Sequence, residues 1–220
     1  MYWVWWVCRI LGIKGQRMSI SESAALTHLQ RYLQTIGRCI LEGWAVYQEK
    51  YIEVAPEHST TTRPSIIRDH IVASIRRAFD DERDVKIIEK KNGLFCIVID
   101  QIIAIRFKKL DRNKWPSNNV TRQSRTFIEQ LVLPGFPPDC TYVNAGYVPN
   151  KLWTDIEGIY ITCHSRSRGF EWIIQILDDA SGLPSNIVPL DPRNTRVPSS
   201  RVRLKEDVKR DEKDDNPGQS

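Results

Sequence analysis

No stretch of this chain is apolar enough to cross a bilayer as a helix, no two cysteines form a C-x-x-C pair, and the common catalytic and nucleotide-binding signatures are missing. Each absence removes a class. The most apolar run, Met1 to Ile13, is interrupted by Arg9 and falls short of the roughly 20 residues a span requires. With no cationic lead-in and no small-x-small cleavage site, it does not read as a secretion signal either. Cys8, Cys39, Cys96, Cys140 and Cys163 are odd in number and scattered. That pattern fits neither a disulfide framework nor a zinc site and points to a reducing cytoplasm. There is no Walker loop, dinucleotide glycine fingerprint, H-E-x-x-H or G-x-S-x-G, so no cofactor is expected and no reaction is named.

What is present suffices for a core: 220 residues, 41% of them apolar, with seven Trp. The net charge of +5 invites a nucleic-acid reading, but most of the excess lies at the ends. Residues 18 to 180 carry 21 basic and 20 acidic side chains, whereas the first 17 residues add Arg9, Lys14 and Arg17 with no acid. Inside the body one tract is locally cationic: Arg106, Lys108, Lys109, Arg112, Lys114, Arg122 and Arg125 stand against the single acid Asp111.

Three segments are expected. Residues 1–17 are an apolar extension, either translated from upstream of a natural start at Met18 or an interfacial anchor using Trp3, Trp5 and Trp6. Residues 18–180 form one α+β domain, a mainly antiparallel sheet with helices on one face. Residues 181–220 are too poor in apolar side chains to offset the entropy of ordering and are expected to be disordered.

Within the body, Leu26, Leu29, Leu33, Ile36, Ile40 and Trp44 recur at helical spacing and predict one helix from Ser21 to about Tyr51, with Gly37 and Gly43 weakening it. A second helix should start near Pro64 and bury Ile67, Ile71, Ile75 and Phe79, with His70 half-buried beside that stripe. Val85–Lys90, Leu94–Ile99 and Ile103–Lys108 read as strands. In the third, Ile103, Ile105 and Phe107 alternate with Arg106 and Lys108, which predicts one buried and one cationic face. A helix capped by Asn118 or Asn119 should carry Val120, Phe127, Ile128 and Leu131 inward and stop at Pro134-Gly135. Thr141–Val148, Gly158–Cys163 and Phe170–Leu177 complete the sheet, the last two joined at the tip by Arg166 and Arg168. Alternation places Phe170 with Trp172, Ile174 and Ile176, and leaves Arg106, Lys108, Tyr160, Thr162, Glu171 and Gln175 on the second face.

Arg for bidentate phosphate contacts, Lys as point charges and an aromatic for stacking are the ingredients of a phosphate-contacting surface. Arg106, Lys108, Lys109, Arg112, Lys114, Trp115, Arg122 and Arg125, extended by Arg166 and Arg168, are therefore the candidate partner or nucleic-acid residues. The same charges also suit a solvated strand edge guarded against aggregation. The order helix, three strands, helix, strand resembles the restriction-nuclease core built around a PD-(D/E)-x-K signature, which implies a metal-dependent, nuclease-like toxin. Here Arg106-Phe107-Lys108 stands where acid-x-Lys belongs, with Glu89 and Asp100 upstream, so that core would be degenerate.

The segments RPSIIRDHIVASIRRAF, LFCIVIDQIIAIRFKKLD, LPGFPP and NAGYVPNKLWTDIEGIYITC, with WIIQI after them, resemble a group of uncharacterised bacterial and phage proteins. The likeness covers roughly residues 60 to 178. It implies a prophage or mobile-element protein encoded beside a helix-turn-helix regulator or an ImmA/IrrE-type metallopeptidase, in a regulatory or toxin-antitoxin-like pair, and it supplies no catalytic residue. The leading expectation is a non-catalytic, cytoplasmic accessory protein that binds the product of a neighbouring gene or nucleic acid. The alternatives are the nuclease-like toxin and a module that dimerises through its first amphipathic helix.

Overall fold

The computed structural model describes residues 18–91, 93–117, 121–165 and 169–176. The apolar extension, the tail, the Asn118 and Asn119 caps, and Arg166 and Arg168 lie outside them. Six strands form one sheet in sequence order: β1 (Val85–Glu89), β2 (Phe95–Ile99), β3 (Ile103–Lys109), β4 (Thr141–Pro149), β5 (Ile156–Ser165) and β6 (Gly169–Ile176). Every neighbouring pair is antiparallel except β3 and β4. The architecture is thus α+β with a mainly antiparallel sheet. Among the described residues no helix is long and apolar enough to cross a membrane.

Three helices cover one face: α1 (Glu22–Leu29), α2 (Leu33–Tyr51) and α3 (Thr62–Phe79). Their buried positions follow the helical stripe read from sequence: Leu29, Ile36, Ile40 and Trp44, then Ile67, Ile71, Ile75 and Phe79. They pack on Ile97, Ile99, Ile105, Val143, Ile161 and Ile174, so this stripe is buried against the protein's own sheet. The expected first helix is two, separated by a 3-10 turn at Gln30–Tyr32. The break falls where α1 is tied to the sheet. Its Ser21 cap accepts from Ala24 N, Ile20 N donates to Thr141, and Trp172 Nε1 donates to the Ile20 carbonyl. His28 and Arg31 then reach Asp100 and Asp84 at 2.6 and 2.7 Å. Gly43 interrupts nothing: α2 runs through it because a side chain there would meet the Ile71 backbone N at 2.7 Å, so glycine sets the closest approach of α2 and α3. His70 is half-buried against Tyr51, as its place beside the α3 stripe predicts.

The parallel step from β3 to β4 forces the chain between them to cross the sheet, and the described part of this crossover packs on its second face. It carries α4 (Arg122–Ile128), whose cap is Thr121 in a reciprocal pair with Ser124. Phe127, Leu133 and Phe136 from the crossover bury Cys96, Val98, Ala104 and Tyr142 in a second, smaller cluster. Two alternation readings change as a result. Arg106 does point away from α1–α3, yet it is only 9% exposed, its guanidinium 5.4 Å from the Phe127 ring. Thr162, expected on an open face, is fully buried. A register shift between Cys163 and His164 also turns Phe170 over: it pairs with His164 on the second face, opposite to Trp172.

Candidate functional site

The cationic tract does not stay together as a ribbon. Arg106 is buried, Arg112 pairs with Glu157 at 3.2 Å, and Lys114 lies 5.1 Å from the Tyr160 ring. Trp115 is no open stacking platform, because its ring sits 4.7 Å from His164 and 5.0 Å from Phe170. The loop that delivers it is tight: Asp111 N donates to the Trp115 carbonyl at 2.8 Å, Trp115 N donates to Asp111 Oδ1 at 2.9 Å, and Lys114 takes a left-handed φ of 63°. Arg122 and Arg125 are exposed on α4, with no ion pair among the described residues. Lys108 and Lys109 are half-buried at the end of β3.

That end of β3 is where a site forms. Strand β2 pairs Cys96 with Arg106, and the ladder between them stops there, so β3 outruns its neighbour through Lys108 and Lys109. The uncovered corner is closed by the start of α3 and by Ser117, whose N–H donates to the Lys109 carbonyl at 2.9 Å. It holds a cavity of about 290 Å³. Arg68, Lys108 and Lys109 supply its charge; Thr60, Thr61, Ser65 and Ser117 supply hydroxyls; Pro64 completes the wall. Among the described residues no Asp or Glu lines it. Arg68 is held there by donating Nη2 to the Gly93 carbonyl at 2.8 Å and meets Asp69 at 3.4 Å on its exposed side.

The electrostatics are those of partly buried cations, with like charges adding to the effect at Lys108. Burial, then Arg106 and Arg68, push the Lys108 ammonium down from 10.5 to about 8. Burial lowers Lys109 as well, against the pull of Asp111, while its ammonium sits 5.1 Å from the Trp153 ring. The backbone amides at the start of α3 are already used: Thr61 N and Thr62 N donate to Ser59 Oγ, Arg63 N donates to the Ser59 carbonyl, and Pro64 has none. Any anion here is therefore met by side chains and not by the helix end.

Behind this corner the second face buries a polar row. Arg106, Asn144 and Thr162 are register partners across β3, β4 and β5. Gln130, in left-handed conformation at φ 54°, clips β4 by accepting from Tyr142 N at 2.8 Å and donating to its carbonyl at 2.7 Å. His164 contacts Asn144 Nδ2 through Nδ1 at 3.3 Å, while its Nε2 and Asn144 Oδ1 are buried without a hydrogen-bond partner among the described residues. Burial lowers His164 to about 3, so the ring is neutral; at 1% exposure under Trp115 it has no path to a substrate. Cys163 points into the opposite core, so Cys163 and His164 do not form a nucleophile and base.

The carboxylates named for a nuclease core do not converge. Glu89 turns to Arg76 on α3 at 2.6 Å, whereas Asp100 sits at the far end of β2 in the turn held by His28. Among the described residues no group of three or more His, Cys, Asp and Glu gathers.

Of the ten candidate residues, Lys108 and Lys109 share the cavity, Arg122 and Arg125 lie on the crossover that follows it, and Arg106 stands behind it as buried charge. Arg68 and the hydroxyls before α3 were missed. The signal was the run STTTRPS, which reads as a connecting loop until the fold sets it against the end of β3. No family model matches the chain, and no curated protein or solved structure matches it, so the resemblance to the mobile-element group gains no support from relatives.

Proposed function

We propose that the protein is a non-catalytic accessory protein that binds nucleic acid, contacting phosphates with Lys108, Lys109 and Arg68 at the open end of β3 and with Arg122 and Arg125 on α4. The observation that carries this reading is the cation group at that corner, walled by no carboxylate among the described residues, with Lys108 lowered by burial and then by neighbouring arginines. A strand edge guarded against aggregation would place such charges in solvent. Here they surround a cavity instead. Dispersal of Glu89 and Asp100 favours binding over metal-dependent cleavage.

The test is a salt titration. Single-stranded DNA or RNA bound through about four phosphate contacts should lose affinity with a log–log slope of about −3, and removing Arg122 and Arg125 together should make that slope shallower by about 1.4. Affinity that holds constant between low and moderate salt would refute the reading.

A further inference from the structure

We infer that the cavity between the start of α3 and the end of β3 is a receptor for a terminal phosphate monoester, the phosphorylated end of a nucleic-acid strand. The inference rests on the nucleic-acid reading above and narrows it to one chemical group.

Charge is the first argument. Arg68, Lys108 and Lys109 bring three cations to the lining, while Asp69 offsets part of Arg68 and Asp111 part of Lys109. A phosphodiester in mid-strand carries one negative charge, whereas a monoester carries about −1.5 to −2 at neutral pH. The monoester is the closer match for the positive charge that remains, centred on Lys108. It also offers three strong acceptor oxygens in place of two, and the lining has several donors to meet them. Lys108 has no ion pair among the described residues, and the hydroxyls of Thr60 and Ser117 engage no other described side chain.

Size is the second argument. At about 290 Å³ the cavity lies at the small end of ligand sites, which run from roughly 300 to 1,000 Å³. A phosphate group enters it with room left for part of the nucleotide that carries it. Crowding is the third. Cations held close before any ligand arrives repel one another, and a dianion relieves that repulsion when it enters. A site of this kind gains selectivity for a doubly charged group, because a singly charged one relieves less.

The experiment measures anisotropy of short single strands that differ only at one end, bearing a 5′ phosphate, a 3′ phosphate or hydroxyls, against the full chain and its Lys108→Met and Thr60→Val variants. One phosphorylated strand should bind about tenfold tighter than the hydroxyl strand. Lys108→Met should reduce that preference to less than about threefold, and Thr60→Val, at an exposed position, should reduce it partly. Equal affinity of all three strands for the unaltered protein would overturn the inference while leaving general nucleic-acid binding in place. If no strand binds, thermal unfolding with inorganic phosphate against chloride at matched ionic strength decides. Stabilisation of the unaltered protein but not of Lys108→Met would keep the cavity as a phosphate site and defeat the nucleic-acid reading, and no response to phosphate would defeat both.

Discussion

Replacing Lys108 by methionine should make the protein more stable at neutral pH, although the change touches the residue most central to the site. The side chain keeps its length and loses its charge. Folding lowers the Lys108 ammonium from 10.5 to about 8. At about 1.4 kcal/mol per pH unit this bounds the cost of holding it charged at about 3 kcal/mol. Solvent reaches part of the group and screens it, so about 1 to 2 kcal/mol is the working figure. The sign follows from proton counting. Between pH 8 and 10.5 the unfolded chain holds the Lys108 proton and the folded one has released it, so the stability of the unaltered protein rises across that window. Below about pH 8 the full penalty applies; above 10.5 it has gone. Urea unfolding of both proteins from pH 7 to 10.5 should therefore show Lys108→Met more stable at pH 7 and the two curves converging as pH rises. A variant that is less stable at pH 7, or a gap that does not narrow with pH, would refute the claim that Lys108 is a strained cation. Stability given up at one charged position and recovered when a ligand arrives is what a binding residue would show, whereas a solvated edge lysine would show no change.

Two further outcomes follow from the packing. Gly43→Ala should lower stability by about 1 to 2 kcal/mol. Overpacking against the Ile71 backbone outweighs the roughly 1 kcal/mol gained in helix propensity. Gly37→Ala should cost less, since a new methyl there meets one side-chain atom, Cγ2 of Ile176, and no backbone; thermal unfolding of the pair tests the ranking. His164 is buried neutral with its pKa lowered from 6.5 to about 3, so its contribution is intact above pH 6.5 and lost as pH falls toward 3. The unaltered protein should lose up to about 1.4 kcal/mol per pH unit in that window from this residue alone. His164→Phe, which keeps a ring between Trp115 and Phe170, should have a shallower acid slope by that amount; equal slopes in urea unfolding at pH 4 to 6 would show that His164 is not the titrating group.

Much of the scaffold was legible because local periodicity is a strong signal. The Ile67, Ile71, Ile75 and Phe79 stripe, the strands Val85–Glu89 and Phe95–Ile99, and the reversal at Asp100-Gln101 are local facts. That reversal holds even though both residues adopt positive φ, 50° and 59°, without a glycine. The candidate site was legible only in its cations. Alternation gave the side of the sheet to which Arg106 and Lys108 point, and nothing in that alternation says whether the side is open. Nor could it foresee the register shift after Cys163, which turned Phe170 onto the second face and made Trp115 a cover for His164.

The sequence by itself determined the α+β class, the two helical stripes, the faces of β3 and the presence of a cationic tract after a buried strand, since these depend on spacing over a few residues. Tertiary structure alone decided that β3 and β4 run parallel, that the crossover this demands would bury Arg106 under Phe127, and that β2 would stop short so that Lys108 and Lys109 meet Arg68 from α3. The physical reason is distance along the chain. Arg68 and Lys108 are brought together by packing a helix on a sheet, and no periodicity over a few residues records which strand ends where.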